Sequence, residues 1–176
     1  MTADENQLML RVVDGDRHAF VQLVEAHLRP LEVFATRMLA DAAEAQDVAQ
    51  ETLLRLWQRA AAFDPQRGRL STWLHQIAHN LCIDRLRKLR RVSNWNESLD
   101  DTPAPAVDTL VDERHKAVSM ALSHLPERQR SALLLTYYQD LTNREVAGIM
   151  GISIRALESL LVRSRAALKQ SLEETV

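Results

Sequence analysis

The sequence predicts an all-α chain of two small helical domains joined by an acidic flexible linker, and three observations predict it. Only four glycines and 5% aromatic residues stand among 176, and long Ala/Leu/Arg/Glu-rich runs carry apolar residues at helical spacing. No alternating apolar and polar stretch of useful length occurs, so no sheet is expected. Residues 92–113 then interrupt the helical pattern with two prolines and clustered aspartates. That places an N-terminal domain at 1–91 and a C-terminal one at 114–176. A hydrophobic content of 46% beside 26% charged residues is that of a globular chain.

The first strong element runs from Asp41 to Asp64, "DAAEAQDVAQETLLRLWQRAAAFD", read as one amphipathic helix. Val48, Leu56 and Trp57 help to form its buried side. Asp47, Gln50, Glu51 and Leu54 lie on or near one stripe. A carboxylate and amide stripe beside an apolar residue suits protein docking, and suits plain solvation equally well.

The second element begins near Ser71 and ends at Arg91, "STWLHQIAHNLCIDRLRKLRR". Trp73, Leu74, Ile77, Ala78, Leu81 and Leu86 recur at helical spacing and should face a core. The other face offers Gln76, His79, Asn80, Asp84, Arg87 and Lys88. Five cations in the seven residues Arg85–Arg91 exceed what favourable placement at a helix C-terminus requires, and neutralising phosphates is a natural use for them. Trp73, beside the polar loop "FDPQRGRLS", is a candidate stacking surface for single-stranded bases and equally a candidate core residue.

Within 92–113, Glu97, Asp100, Asp101, Asp108, Asp112 and Glu113 stand with no Lys or Arg, whereas residues 114–176 have a basic excess. The formal net charge of -2 therefore averages unlike parts. A self-repelling tether accounts for much of the acidic run.

The last element is "LTNREVAGIMGISIRALESLLVRSRAAL", Leu141–Leu168. Thr142 and Glu145, three apart, make a capping box that starts a helix at Asn143. Gly151 suits a left-handed helix end, and Ser153 can cap the next helix. Small Ala147 fits a close crossing of the two helices. Helix, tight turn, helix is a DNA-binding arrangement. Its second helix would bury Leu157, Leu160, Leu161 and Leu168 and present Arg155, Ala156, Glu158, Ser159, Val162, Arg163 and Arg165, among them groups able to bond base edges or phosphates.

The order "DVAQETLLRLW", "FDP…RLSTWLHQIAHNLCIDRLRK", acidic linker, "LPERQRSALLLTYYQDLTNREVAGIMGISIRALESLLVRSRAAL" resembles a bacterial RNA polymerase sigma factor of the extracytoplasmic-function class of the sigma-70 family, over nearly the whole chain. The resemblance implies a transcription initiation factor that binds core RNA polymerase, directs it to promoters and promotes strand opening. It implies that Asp47, Gln50, Glu51 and Leu54 dock on the clamp of the polymerase largest subunit. Thr72, Trp73, Gln76, His79, Asn80, Asp84, Arg85, Arg87 and Lys88 would handle the minus-ten element. Arg144, Arg155, Ala156, Glu158, Ser159, Arg163 and Arg165 would handle the minus-thirty-five element. Partners so implied are core polymerase, double- and single-stranded promoter DNA and an anti-sigma factor, with a linker that follows the path of nascent RNA. Two residues depart from the pattern: Leu160 takes a position usually basic, and Leu70 one where an aromatic is frequent.

Two rival readings are weaker. A helix-turn-helix repressor would explain the C-terminal half but leaves Asp41–Lys88 without a role, and it would usually dimerise. A metal site at His75, His79, Cys82 and Asp84 lacks the Glu that an HExxH pattern needs, and Cys82 is offset toward the apolar face. Neither nucleophile elbow nor Gly-rich phosphate loop is present, so no catalytic site, cofactor or small-molecule substrate is expected. The single Cys82 excludes an intramolecular disulfide. The acidic start "MTADENQLML" predicts neither signal peptide nor membrane span, hence a cytoplasmic protein. The free chain is expected to be a monomer.

Overall fold

The computed structural model describes residues 3–95 and 113–174. These form eight α-helices and no strand: α1 (Ala3–Val13), α2 (Arg17–Leu39), α3 (Ala42–Gln58), a 3-10 turn (Ala60–Ala62), α4 (Leu70–Trp95), α5 (Glu113–His124), α6 (Glu127–Tyr137), α7 (Asn143–Met150) and α8 (Ile154–Glu174). Most of the linker residues 92–113 lie outside the described residues, its ends being the last turn of α4 and Glu113 of α5.

Short polar signals punctuate the helices. Asp16 accepts from the His18 and Ala19 N–H groups to start α2, and Gly15 precedes it at φ 85. Asp41 does the same for α3 through Ala43 and Glu44. Thr142 and Glu145 complete the expected capping box, Gly151 stands at φ 64, and the Ser153 hydroxyl accepts from Ala156 N–H at 3.1 Å. The helix expected over Asp41–Asp64 ends sooner, at Gln58. The alanine run after it tightens into the 3-10 turn, with Phe63 N–H bonded to Ala60 C=O, so that Phe63 can turn in against Trp73 at 5.6 Å between ring centroids. In contrast α4 starts one residue before Ser71 and continues past Arg91 to Trp95.

Helices α1–α4 and α5–α8 form two groups that pack on each other, α2 against α5 and α6, and α4 against α7. One apolar core runs through both groups, with Leu23, Leu31, Phe34, Leu74, Leu134, Leu135, Val146 and Leu157 fully buried. Polar contacts stitch the seam. From α6, Arg130 donates to the Met38 carbonyl at 2.6 Å, which the end of α2 leaves without a helical partner. It also bonds the Ser123 and Leu125 carbonyls at 2.7 and 3.2 Å. His79 Nε2 meets the Ser131 hydroxyl at 3.3 Å, the Arg37 guanidinium lies 3.9 Å from the Tyr138 ring centroid, and Arg90 pairs with Glu127.

Candidate nucleic-acid interface

Three surfaces carry the candidate residues. On α3, Asp47, Gln50 and Leu54 are exposed, Leu54 at 52%, while Ala45, Val48, Ala49, Thr52, Leu53 and Leu56 are buried behind them. An exposed leucine flanked by a carboxylate and an amide leaves apolar area in water unless something covers it. Glu51 is less free than its neighbours. It holds Arg55 at 2.6 Å along the helix and lies 3.5 Å from Arg85 of α4.

The second surface is the loop before α4 and that helix's outer face. Ala62, Phe63, Asp64, Arg67, Gly68, Arg69, Thr72, Trp73 and Gln76 line a cleft of about 280 Å³. Trp73 is half-buried against Phe63, so it is both core edge and cleft wall. Leu70, by contrast, is wholly buried; an apolar residue there supports the first turn of α4 from below and offers bases nothing to stack on. Gln76, Asn80, Asp84, Arg87 and Lys88 are exposed along α4, and Arg87 is only loosely paired with Asp84 at 3.9 Å. Two expected DNA contacts are placed otherwise. His79 does not share the outer face: it is 7% exposed and turns inward to Ser131, and burial lowers its pKa to about 4, against a weaker opposing bond from Asn80. Arg85 is drawn toward α3, bonding Glu44 at 2.8 Å as well as approaching Glu51, which spends its charge on carboxylates.

The third surface is α8. Arg155, Ala156, Glu158, Ser159, Val162, Arg163 and Arg165 are exposed, as is Arg144 of α7, while Leu157 and Leu161 are buried. Leu160 and Leu168 are half-buried against the core, so Leu160 extends the packing, as its spacing predicts, at a position usually basic in the family it resembles. Spacing alone places these groups on one face, because side chains three and four apart share a helix side.

Periodicity does not reveal Arg69 and Glu145 as partners. Arg69 Nε donates to Glu145 Oε1 at 2.9 Å and Nη2 to Oε2 at 2.7 Å, while the Thr72 hydroxyl donates to Oε1 at 2.5 Å. Burial of Glu145 favours its neutral form, but the bonds from Arg69, Thr72 and Thr142 outweigh it and lower the carboxyl pKa to about 2. Glu145 is legible in the sequence only as a helix cap. Elsewhere, burial raises the Cys82 thiol to about 12, and His75 is buried with Nδ1 on the Ser71 carbonyl. No group of three or more His, Cys, Asp or Glu side chains able to hold a metal occurs among the described residues. No helix among them is long and apolar enough to cross a membrane.

Residues 23–92 match the family Sigma-70 region 2, and residues 115–168 match Sigma-70, region 4. The ECF RNA polymerase sigma factor SigM of Mycobacterium tuberculosis is 32% identical, with 94% of this chain and 83% of SigM aligned. The chain belongs to the sigma-70 family. It is similar also to the ECF sigma factors RpoE of Cereibacter sphaeroides (30% identical, 88% of this chain and 87% of the relative) and SigW of Bacillus subtilis (28%, 93% and 94%). Among solved structures, CnrH in complex with the cytosolic domain of CnrY aligns at TM-score 0.75 and 25% identity over 98% of this chain and 99% of that one. The sigma factor RpoE of Bartonella quintana, in complex with the anti-sigma factor NepR, aligns at the same TM-score and identity over 88% and 96%. As an ECF sigma factor, the protein is a transcription initiation factor that directs RNA polymerase to promoters. Region 2 contains α3, the cleft and most of α4; region 4 contains the helix-turn-helix.

Proposed function

We propose that the three surfaces divide promoter recognition among them. Asp47, Gln50 and Leu54 dock on the polymerase clamp, with Glu51 shaping that face through its hold on Arg55 and Arg85. The cleft and the exposed face of α4, through Thr72, Trp73, Gln76, Asn80, Asp84, Arg87 and Lys88, capture and hold the opened minus-ten strand. Arg144, Arg155, Ala156, Glu158, Ser159, Arg163 and Arg165 read minus-thirty-five duplex. The carrying observation is that a walled cleft with an amide and cations beyond its rim lies on the same helix that α3 braces. Opening base pairs costs stacking, and a cleft that accepts an extruded base beside phosphate-holding cations returns part of that cost. The chain itself supplies no chemistry and acts in the cytoplasm; the polymerase makes the bonds. CnrH and the Bartonella RpoE are each solved with a partner, and by extension a regulatory protein covers these surfaces here until a signal releases it.

Reconstitution with core polymerase and mapping of transcription starts on genomic DNA tests this directly. Asp47→Lys and Leu54→Ala should weaken capture of core polymerase with the fold intact, since reversal adds repulsion to a lost contact. Asn80→Ala should keep polymerase binding and lose the permanganate-reactive bubble. Wild-type polymerase affinity in both docking variants, or a normal bubble in Asn80→Ala, moves the corresponding role elsewhere.

A further inference from the structure

Arg69 is the last loop residue before α4 and stands on the rim of the cleft. Its guanidinium offers a planar two-nitrogen edge that fits a carboxylate and a phosphate alike. Here that edge is filled from the other half of the chain. Glu145, 76 residues away, takes both nitrogens, and Thr72 adds its hydroxyl from the first turn of α4. Arg69 Nη2 also reaches the Asp140 carbonyl at 3.0 Å, and Asp140 sits at φ 51, a left-handed conformation that a non-glycine residue adopts at a cost.

The local duty of Glu145 needs none of this. To cap α7 it accepts from Thr142 N–H and the Thr142 hydroxyl, each at 2.8 Å, both groups lying on its own side of the seam. The donors from Arg69 and Thr72 are surplus to the cap. Together with it they surround a carboxylate with donors on both oxygens, as an oxyanion site does. A DNA phosphodiester carries the same single charge on two free oxygens. The seam contacts of Arg130, His79 and Arg37 do not involve the cleft residues.

We infer that Arg69 and Thr72 form a phosphate clamp for the promoter strand, and that the Glu145 carboxylate occupies this clamp as a surrogate phosphate in the free chain. The inference rests on the cleft's being the minus-ten surface and adds a clamp residue, Arg69, and its internal competitor. Because Glu145 is tethered, its local concentration is high, and a strand must displace it. Apparent affinity falls in proportion to the fraction of molecules in which the clamp stands free. Polymerase docking that parts the two halves removes the competitor and makes the clamp available.

Glu145→Gln tests this while keeping the cap, since Gln serves at the third position of a capping box. The readout is fluorescence anisotropy of the full chain at low salt with a labelled, random-sequence DNA single strand of about a dozen nucleotides. Glu145→Gln is expected to bind on the order of tenfold more tightly than wild type. Glu25→Gln, which removes one charge from an exposed site on α2, should bind as wild type does. Adding Arg69→Ala to Glu145→Gln should cancel the gain and flatten the dependence of log affinity on log salt by about 0.7. Glu145→Gln at wild-type affinity, a gain equalled by Glu25→Gln, or a gain that survives Arg69→Ala overturns the clamp. The minus-ten assignment fails separately: a normal permanganate bubble from Asn80→Ala polymerase, beside an intact tenfold gain, leaves the clamp standing and relocates strand recognition.

Discussion

The two helices proposed to face DNA, α4 and α8, differ in what the rest of the chain does to them. Along α8, Arg155, Glu158, Ser159, Arg163 and Arg165 stand exposed, while Leu157 and Leu161 lock the helix into the core. Along α4 the outer face is exposed at Gln76, Asn80, Arg87 and Lys88, but Thr72 at its start is held by Glu145 and His79 faces Ser131. A reader of duplex can be preformed, because groove edges are available without deforming the DNA. A reader of separated strands gains from being withheld, since a basic cleft left open would bind any single strand. The contrast teaches that seam contacts reach the start of α4 and the cap of α7 and leave the outer row of α8 exposed.

The largest expected effect comes from breaking the seam itself. Arg130→Ala leaves the Met38, Ser123 and Leu125 carbonyls without their charged donor, a loss of about 3 kcal/mol. Denaturant unfolding should show it as a lower midpoint, and scattering should show a wider separation of the halves. Unchanged dimensions would mean that the apolar core alone sets the closed form.

Acid should loosen the same seam. The folded pKa of His79 lies at about 4, below the ordinary 6.5, so its contribution is fully present above pH 6.5 and is lost as pH falls toward 4. That shift corresponds to about 3 kcal/mol at the acid limit. His75 and His27 are likewise lowered, both mainly by burial, and act in the same direction. Unfolding midpoints measured between neutral pH and pH 4 should fall, and His79→Gln should flatten the fall.

On the open helix, Arg155→Ala should cost about 1–3 kcal/mol in binding a minus-thirty-five duplex if it meets a base edge. Random single-strand binding should not change, which is the sharpest form of the contrast. The smallest effect belongs to the turn. Gly151→Ala puts a side chain at φ 64 and should lower stability by about 1 kcal/mol, seen in thermal unfolding, with α4-dependent bubble formation preserved.

Much of this was legible in the sequence where bonds are local. Thr142, Glu145, Gly151 and Ser153 act within four residues of their own position, so their pattern along the chain is the interaction itself; the Asp16 and Asp41 caps, though not read, are as local. The same holds for the exposed row on α8. Misplacements arise where packing overrules periodicity. An alanine run with high helix propensity turns off at Gln58 because Phe63 must reach Trp73. Periodicity assigns His79 to the outer face, yet it turns inward to Ser131 of α6, and a second element decides what is covered. Arg85 reads as one of five cations until α3 brings Glu44 beside it.

By itself the sequence determined an all-helical chain, the caps and turn of its helix-turn-helix, and the residue types now proposed to meet polymerase and DNA. Tertiary structure alone decided which of those residues are free. Glu145 shows the boundary most clearly. Its cap over Thr142 follows from a spacing of three, but its bond to Arg69 spans 76 residues and exists only because α7 packs on α4. Local hydrogen bonds are specified by adjacent residues and a helical repeat, whereas a contact across a seam depends on how every buried side chain between the two elements packs.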